Sequence, residues 1–169
     1  MKKKLPLELE ALLNYFPLID PPITLSEEVT HKFSAKNKPL SEKLIAEVFS
    51  RWDKLDEYTE LVPCLQLPVD GPFYAIIYWK GALMSYEFIL ATLDEQGILI
   101  NKKVIAGTIS NGMSVKTSVA TIDEDGCIYS MVGENQQDDS SYDPSASHGY
   151  KFEILPDGNI SADAESHPT

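Results

Sequence analysis

The chain has 169 residues, of which 43% are apolar and 24% charged, with a formal net charge of −12. That length and composition suit one globular domain with its own core and exclude a wholly disordered chain. The charge excludes a general affinity for phosphate backbones or anionic lipid, and no apolar run reaches the roughly 18 residues of a membrane-spanning helix.

The start, Met1-Lys2-Lys3-Lys4, has the basic flank of a secretory signal, but Glu8 and Glu10 interrupt the apolar stretch that such a signal needs. A cytoplasmic protein is expected. Leu9, Leu12, Leu13 and Phe16 share one face of a helix predicted from about Leu7 to Phe16, and Pro21 and Pro22 forbid its continuation. After a brief extended piece, Ile23-Thr24-Leu25, Ser26 is expected to cap a short helical turn carrying Val29 and Phe33. Glu27 and Glu28 would face the positive end of its dipole. Ser41 caps a clearer helix, in which Leu44, Ile45, Val48, Phe49 and Trp52 form an apolar stripe. Trp52 continues that stripe and is read as a core anchor.

From Tyr58 the apolar period changes from helical to extended. Strands are predicted at Leu61–Leu67, Phe73–Lys80, Ser85–Leu93, Ile98–Ala106, Ser114–Ile122, Cys127–Val132 and Tyr150–Leu155. Phe73 to Trp79 is apolar on both faces, so this strand should be covered twice. Tyr150, Phe152 and Ile154 alternate with Lys151 and Glu153, the mark of one wet face. Tyr74, Tyr78, Trp79, Tyr86 and Phe88 sit on neighbouring strands and are expected to line one sheet face, as core against the helices or, as the alternative, as a surface that holds a ligand or partner segment.

One device recurs in the second half: an apolar run, an acidic turn with glycine, and another apolar run. Its copies are Leu93 to Ile98, Ile122 to Ile128 and Leu155 to Ile160, with glycines 29 and then 32 residues apart. Each reads as a hairpin. The expected fold is therefore α+β, with N-terminal short helices packed on an antiparallel up-and-down β-meander of about six to seven strands. A single domain over 1–169 is expected, with a helical cap at 1–56, the sheet at 57–161 and a flexible tail at 162–169. The recurrence is too short, and its copies too few, for a closed propeller, whose blades need about 40–50 residues.

The stretch Phe73 to Gly107, with its Tyr86-Glu87-Phe88-Ile89-Leu90 strand, Asp94-Glu95-Gln96-Gly97 turn and Val104-Ile105-Ala106-Gly107 ending, resembles uncharacterised bacterial β-meander proteins. So does the short helical start with its Phe16-Pro17 step. The resemblance implies the fold and carries no activity or site residues.

Chemistry is sparse. The longest polar stretch, Glu134 to Gly149, exceeds a normal hairpin loop and has the composition of a solvated excursion. Within it Asp138, Asp139, Asp143 and His148 are the candidate binding residues, offering hard oxygens and an imidazole to a divalent cation. Thr121 to Val132 echoes a calcium loop but lacks its first and last carboxylates, so it reads as a turn. Cys64 and Cys127 have no zinc-ligand spacing and read as free thiols. No nucleophile elbow or phosphate-binding glycine loop occurs, and no cofactor is expected. His31 and His167 are read as a surface and a tail residue.

Charge is the remaining signal. Residues 1–60 carry eleven acids and nine bases, whereas Leu61 to Thr169 carry fifteen acids and five bases. The expected function is that of a small non-catalytic acidic binding protein, of immunity or inhibitor type, whose partner is a basic protein. The alternatives are a hydrolase-like or metal-binding site in the 134–149 stretch, and a structural module that self-associates through a sheet edge. Oligomeric state is not legible.

Overall fold

A computed structural model describes residues 6–110, 112–136 and 148–165. Three short helical pieces and one small strand come first: α1 (Leu7–Leu13), β1 (Ile23–Leu25), α2 (Val29–Lys36) and α3 (Glu42–Leu44). From α3 the chain passes through a π-helical turn (Ile45–Phe49) into α4 (Ser50–Trp52). Then follow β2 (Glu60–Leu67), β3 (Phe73–Gly81), β4 (Ser85–Asp94), β5 (Leu99–Ser110), β6 (Ser114–Ile122), β7 (Ile128–Gln136), β8 (His148–Ile154) and β9 (Ile160–Glu165). β2 to β9 pair in chain order and every ladder is antiparallel, so the predicted meander stands with eight strands rather than six or seven, and β1, paired to β6, brings the sheet to nine.

The two extra strands have different origins. Ile23-Thr24-Leu25 pairs with Ala120 to Ile122 of β6, on the flank that β5 leaves free by pairing only as far as Ser118. β9 occupies much of what was expected to be a tail. Its buried Ile160 anchors a ladder onto β8 that reaches Glu165. β5 also outruns its predicted end at Ala106. Gly107 lies so close to Tyr86 of β4 that any Cβ would strike the Tyr86 carbonyl, and its φ of 149° suits glycine. The strand therefore continues to Ser110 and joins β6.

The hairpin device is realised twice with the same chemistry. The Asp94 carboxylate accepts from the backbone N–H groups of Gln96 (2.8 Å) and Ile98 (3.0 Å), and the Asp123 carboxylate does so from Asp125 and Cys127 (both 3.0 Å). Gly97 and Gly126 close these turns at the same φ of 86°. These acids are thus turn formers.

Pleating sorts β3 and β4 into two cores. On one face Ala75 and Ile77 meet Phe88 and Leu90, and Ile122, Ile128, Phe152 and Ile160 of the distal strands complete the same cluster. On the other face Tyr74, Ile76 and Tyr78, with Ile89, Ala91 and Leu93, pack against Leu9, Leu12, Phe16, Leu40 and Phe49 of the helical segment. The aromatics expected on a single face are therefore divided. Tyr74 and Tyr78 face the helices, while Trp79 and Phe88 face the distal strands. Trp52 joins the helical core as expected, its ring edge-on to Phe49 at 4.9 Å.

The N-terminal segment also protects the free flank of β2. The Gln66 N–H donates to the Pro17 carbonyl (2.8 Å), and the Ile19 N–H donates to the Gln66 carbonyl (3.0 Å). A bulge at Cys64 interrupts the β2–β3 register, and there the Asn37 side-chain amide donates to the carbonyls of Pro63 (2.7 Å) and Cys64 (2.9 Å). Pro63, with no N–H to offer, is tolerated on such an edge. α2 begins after Glu28, and the Ser26 carbonyl, rather than its expected side-chain cap, accepts the Val29 N–H.

Replacing Asn37 by Ala strips both carbonyls of their donor at the bulge. Asn37→Ala should lower unfolding free energy by about 1–3 kcal/mol in urea titration, with an unchanged m-value.

Candidate functional site

Asp138, Asp139 and Asp143 lie outside the described residues. His148 is the first residue of β8, opposite Val132 of β7. The polar stretch is shorter than its composition suggested, because β7 runs to Gln136 and β8 starts at His148. Among the described residues no group of three or more His, Cys, Asp or Glu is placed to hold a metal ion. Both cysteines are free, and burial pushes the Cys64 thiol far above its ordinary range, which makes it inert.

The arrangement with the most site-like character lies between α2 and the ends of β2, β3 and β4. Val29 and Phe33 root α2 in the core, while Thr30, His31 and Ser34 line a cleft of about 210 Å³ with Glu27, Glu60, Val62, Trp79 and Tyr86. The Trp79 and Tyr86 rings both line the cleft, with centroids 5.9 Å apart and planes 30° from parallel. Gly81 permits this, since a Cβ there would run into the Trp79 ring. Burial and a hydrogen bond to the Glu27 carboxylate raise the Tyr86 hydroxyl above the usual phenol range, against the opposing bond from Thr108 (2.8 Å).

Two features of this region are unusual. Thr30 Oγ1 and Trp79 Nε1 are buried without a hydrogen-bond partner among the described residues. Such groups are rare in folded proteins and destabilise them by about 1–3 kcal/mol each. In addition, Glu27 and Glu60 are both exposed, and no lysine or arginine is among the described residues that line the cleft.

A larger groove of about 440 Å³ lies at the far end, where the β2–β3 and β6–β7 turns meet the end of β8. Leu67, Phe73, Ile122 and Ile154 give it an apolar lining, and Asp70, Asp125 and Glu153 add carboxylates. Glu124 lines an adjoining groove that shares Asp70 and Asp125.

The third polar cluster is occupied by its own members. Asp53, just past α4, accepts from the Tyr78 hydroxyl (2.7 Å) and from Lys102, with Lys80 at 3.9 Å. Lys102 also donates to the Trp52 carbonyl (2.7 Å), so it closes the helix end and ties it to β5. Burial pushes the Asp53 carboxyl up, but the bonds from Lys102 and Tyr78 and the two lysine charges outweigh it and hold the group below the usual aspartate range. This is a clamp between helix and sheet.

Comparison with protein-family models, with curated proteins and with solved structures finds no match, so geometry and charge carry the functional reading. Sequence reasoning offered Trp79 and Tyr86 as part of an aromatic face able to hold a ligand but did not place Glu27, Glu60 or α2 beside them, because the cleft's walls come from four separate elements. A signal was present in the alternation that sets Trp79 opposite Tyr78 and on the side of Tyr86.

Asp53→Ala should cost about 1.5–3 kcal/mol at neutral pH, as expected when charged hydrogen bonds are removed. A lowered folded-state value means that the contribution is complete above the unfolded value of about 3.9 and fades as pH falls through the folded one. Denaturation at stepped pH should therefore show the wild-type and Asp53→Ala stabilities converging below about pH 4.

Proposed function

We propose that this chain is a small acidic binding protein, of immunity or inhibitor type, that engages a basic protein without catalysing a reaction on it. The observation that carries this reading is the charge distribution: fifteen acids against five bases from Leu61 onward. At the turn end of the sheet, Asp70, Glu124, Asp125 and Glu153 border two adjoining grooves, and no lysine or arginine is among the described residues that line them. A field of one sign beside an apolar lining suits fast capture of a basic surface followed by burial of its apolar part.

The test immobilises the full chain and exposes it at about 50 mM salt to a lysate of its source cells, with captured proteins identified and repurified. A basic partner whose association rate falls about tenfold or more towards 300 mM salt is the expected result. Capture that is indifferent to salt, or sedimentation showing only concentration-dependent self-association, overturns it.

A further inference from the structure

We propose that the cleft beneath α2 is the receptor for an arginine side chain, with the guanidinium paired to Glu27 and Glu60 and stacked against the aromatic lining of Trp79 and Tyr86. This rests on the reading above, whose basic partner would supply the arginine. Three observations converge on that chemistry. The volume of about 210 Å³ falls below the roughly 300–1,000 Å³ of pockets for whole small molecules and suits a single side chain. Two carboxylates without a lysine or arginine among the described lining residues call for a cation. Two aromatic rings in the lining favour a planar cation, which stacks on a ring face while its fork of N–H groups reaches carboxylate oxygens. An ammonium is a compact, strongly hydrated charge and gains little from such a lining.

Other ligands fit less well. An anion would face two carboxylates. A hard divalent cation takes six or more oxygens, and among the described residues no group of three or more His, Cys, Asp or Glu is placed to hold one. A neutral sugar could stack on the rings, but it would leave both carboxylates without a counter-charge.

The test uses N-acetyl-arginine amide as probe, with its citrulline and lysine counterparts and a methyl glucoside as controls, by calorimetry at low salt. The chain has two tryptophans, so Trp52→Phe leaves Trp79 fluorescence as a second readout of the cleft. The arginine probe should bind with a dissociation constant on the order of 1 mM, the upper limit of what two exposed ion pairs and one stack supply. The lysine probe should bind several-fold more weakly, and the citrulline probe and the glucoside should not register. The double variant Glu27→Gln, Glu60→Gln, changed at two exposed side chains, should keep its fold and weaken arginine binding about tenfold. Equal binding of arginine and citrulline, preferential binding of the glucoside, or an unchanged double variant overturns the assignment. If a basic partner is captured yet binds the double variant as tightly as the wild type, the cleft assignment falls while the binding reading stands. If the arginine probe binds as described and no basic protein is captured, the reverse holds.

Discussion

A strand with both faces apolar cannot rest on a core from one side only, and β3 imposes that constraint on the whole molecule. Six consecutive residues, Phe73 to Tyr78, are buried, and β4 continues the pattern from Phe88 to Leu93. One face therefore has to recruit the distal strands and the other the N-terminal helices. Burying each large apolar side chain contributes roughly 1.5–3 kcal/mol, so leaving either face bare would remove a large part of a typical domain's net stability. The π-helical turn serves this demand. It delivers a fully buried Phe49 against Tyr78 at 5.1 Å and edge-on to Trp52.

The second constraint is the sheet edge. A meander in chain order leaves its first and last strands open, and an uncovered edge invites pairing with another chain. Here the segment between α1 and α2 runs along β2 at Pro17 to Ile19 and then places β1 against β6. One stretch of chain thus covers an edge and fills the flank that β5 vacates. The tip of the β8–β9 hairpin is fastened as well, because the buried Thr92 hydroxyl donates to the Gly158 carbonyl at 2.6 Å. Asn37 completes the protection at the bulge, where neighbouring carbonyls would otherwise lack donors.

These same contacts produce the polar features. α2 is held over β2 by Val29 and Phe33, which leaves its opposite flank to wall the cleft with Thr30, His31 and Ser34. The Asp53 clamp satisfies its own charges internally, whereas Glu27 and Glu60 have no lysine or arginine beside them among the described lining residues. That contrast separates a polar cluster that holds the fold together from one with capacity for an outside group.

The sequence alone determined the meander, because period-two alternation, acid–glycine turns and short connections are local and leave few other arrangements open. It also determined the helical stripe through Trp52 and the double burial of Phe73 to Trp79. Pairing partners at long range were decided only in the tertiary structure. Three residues at Ile23 to Leu25 carry too little pattern to announce a strand until β6 offers them a flank, and Ile160 to Glu165 becomes β9 through its ladder to β8. The cleft belongs to the same class. Glu27, Glu60, Trp79 and Tyr86 are distant in the chain, and only the seating of α2 across β2 brings them together, since side-chain proximity across elements follows from packing and not from local propensity.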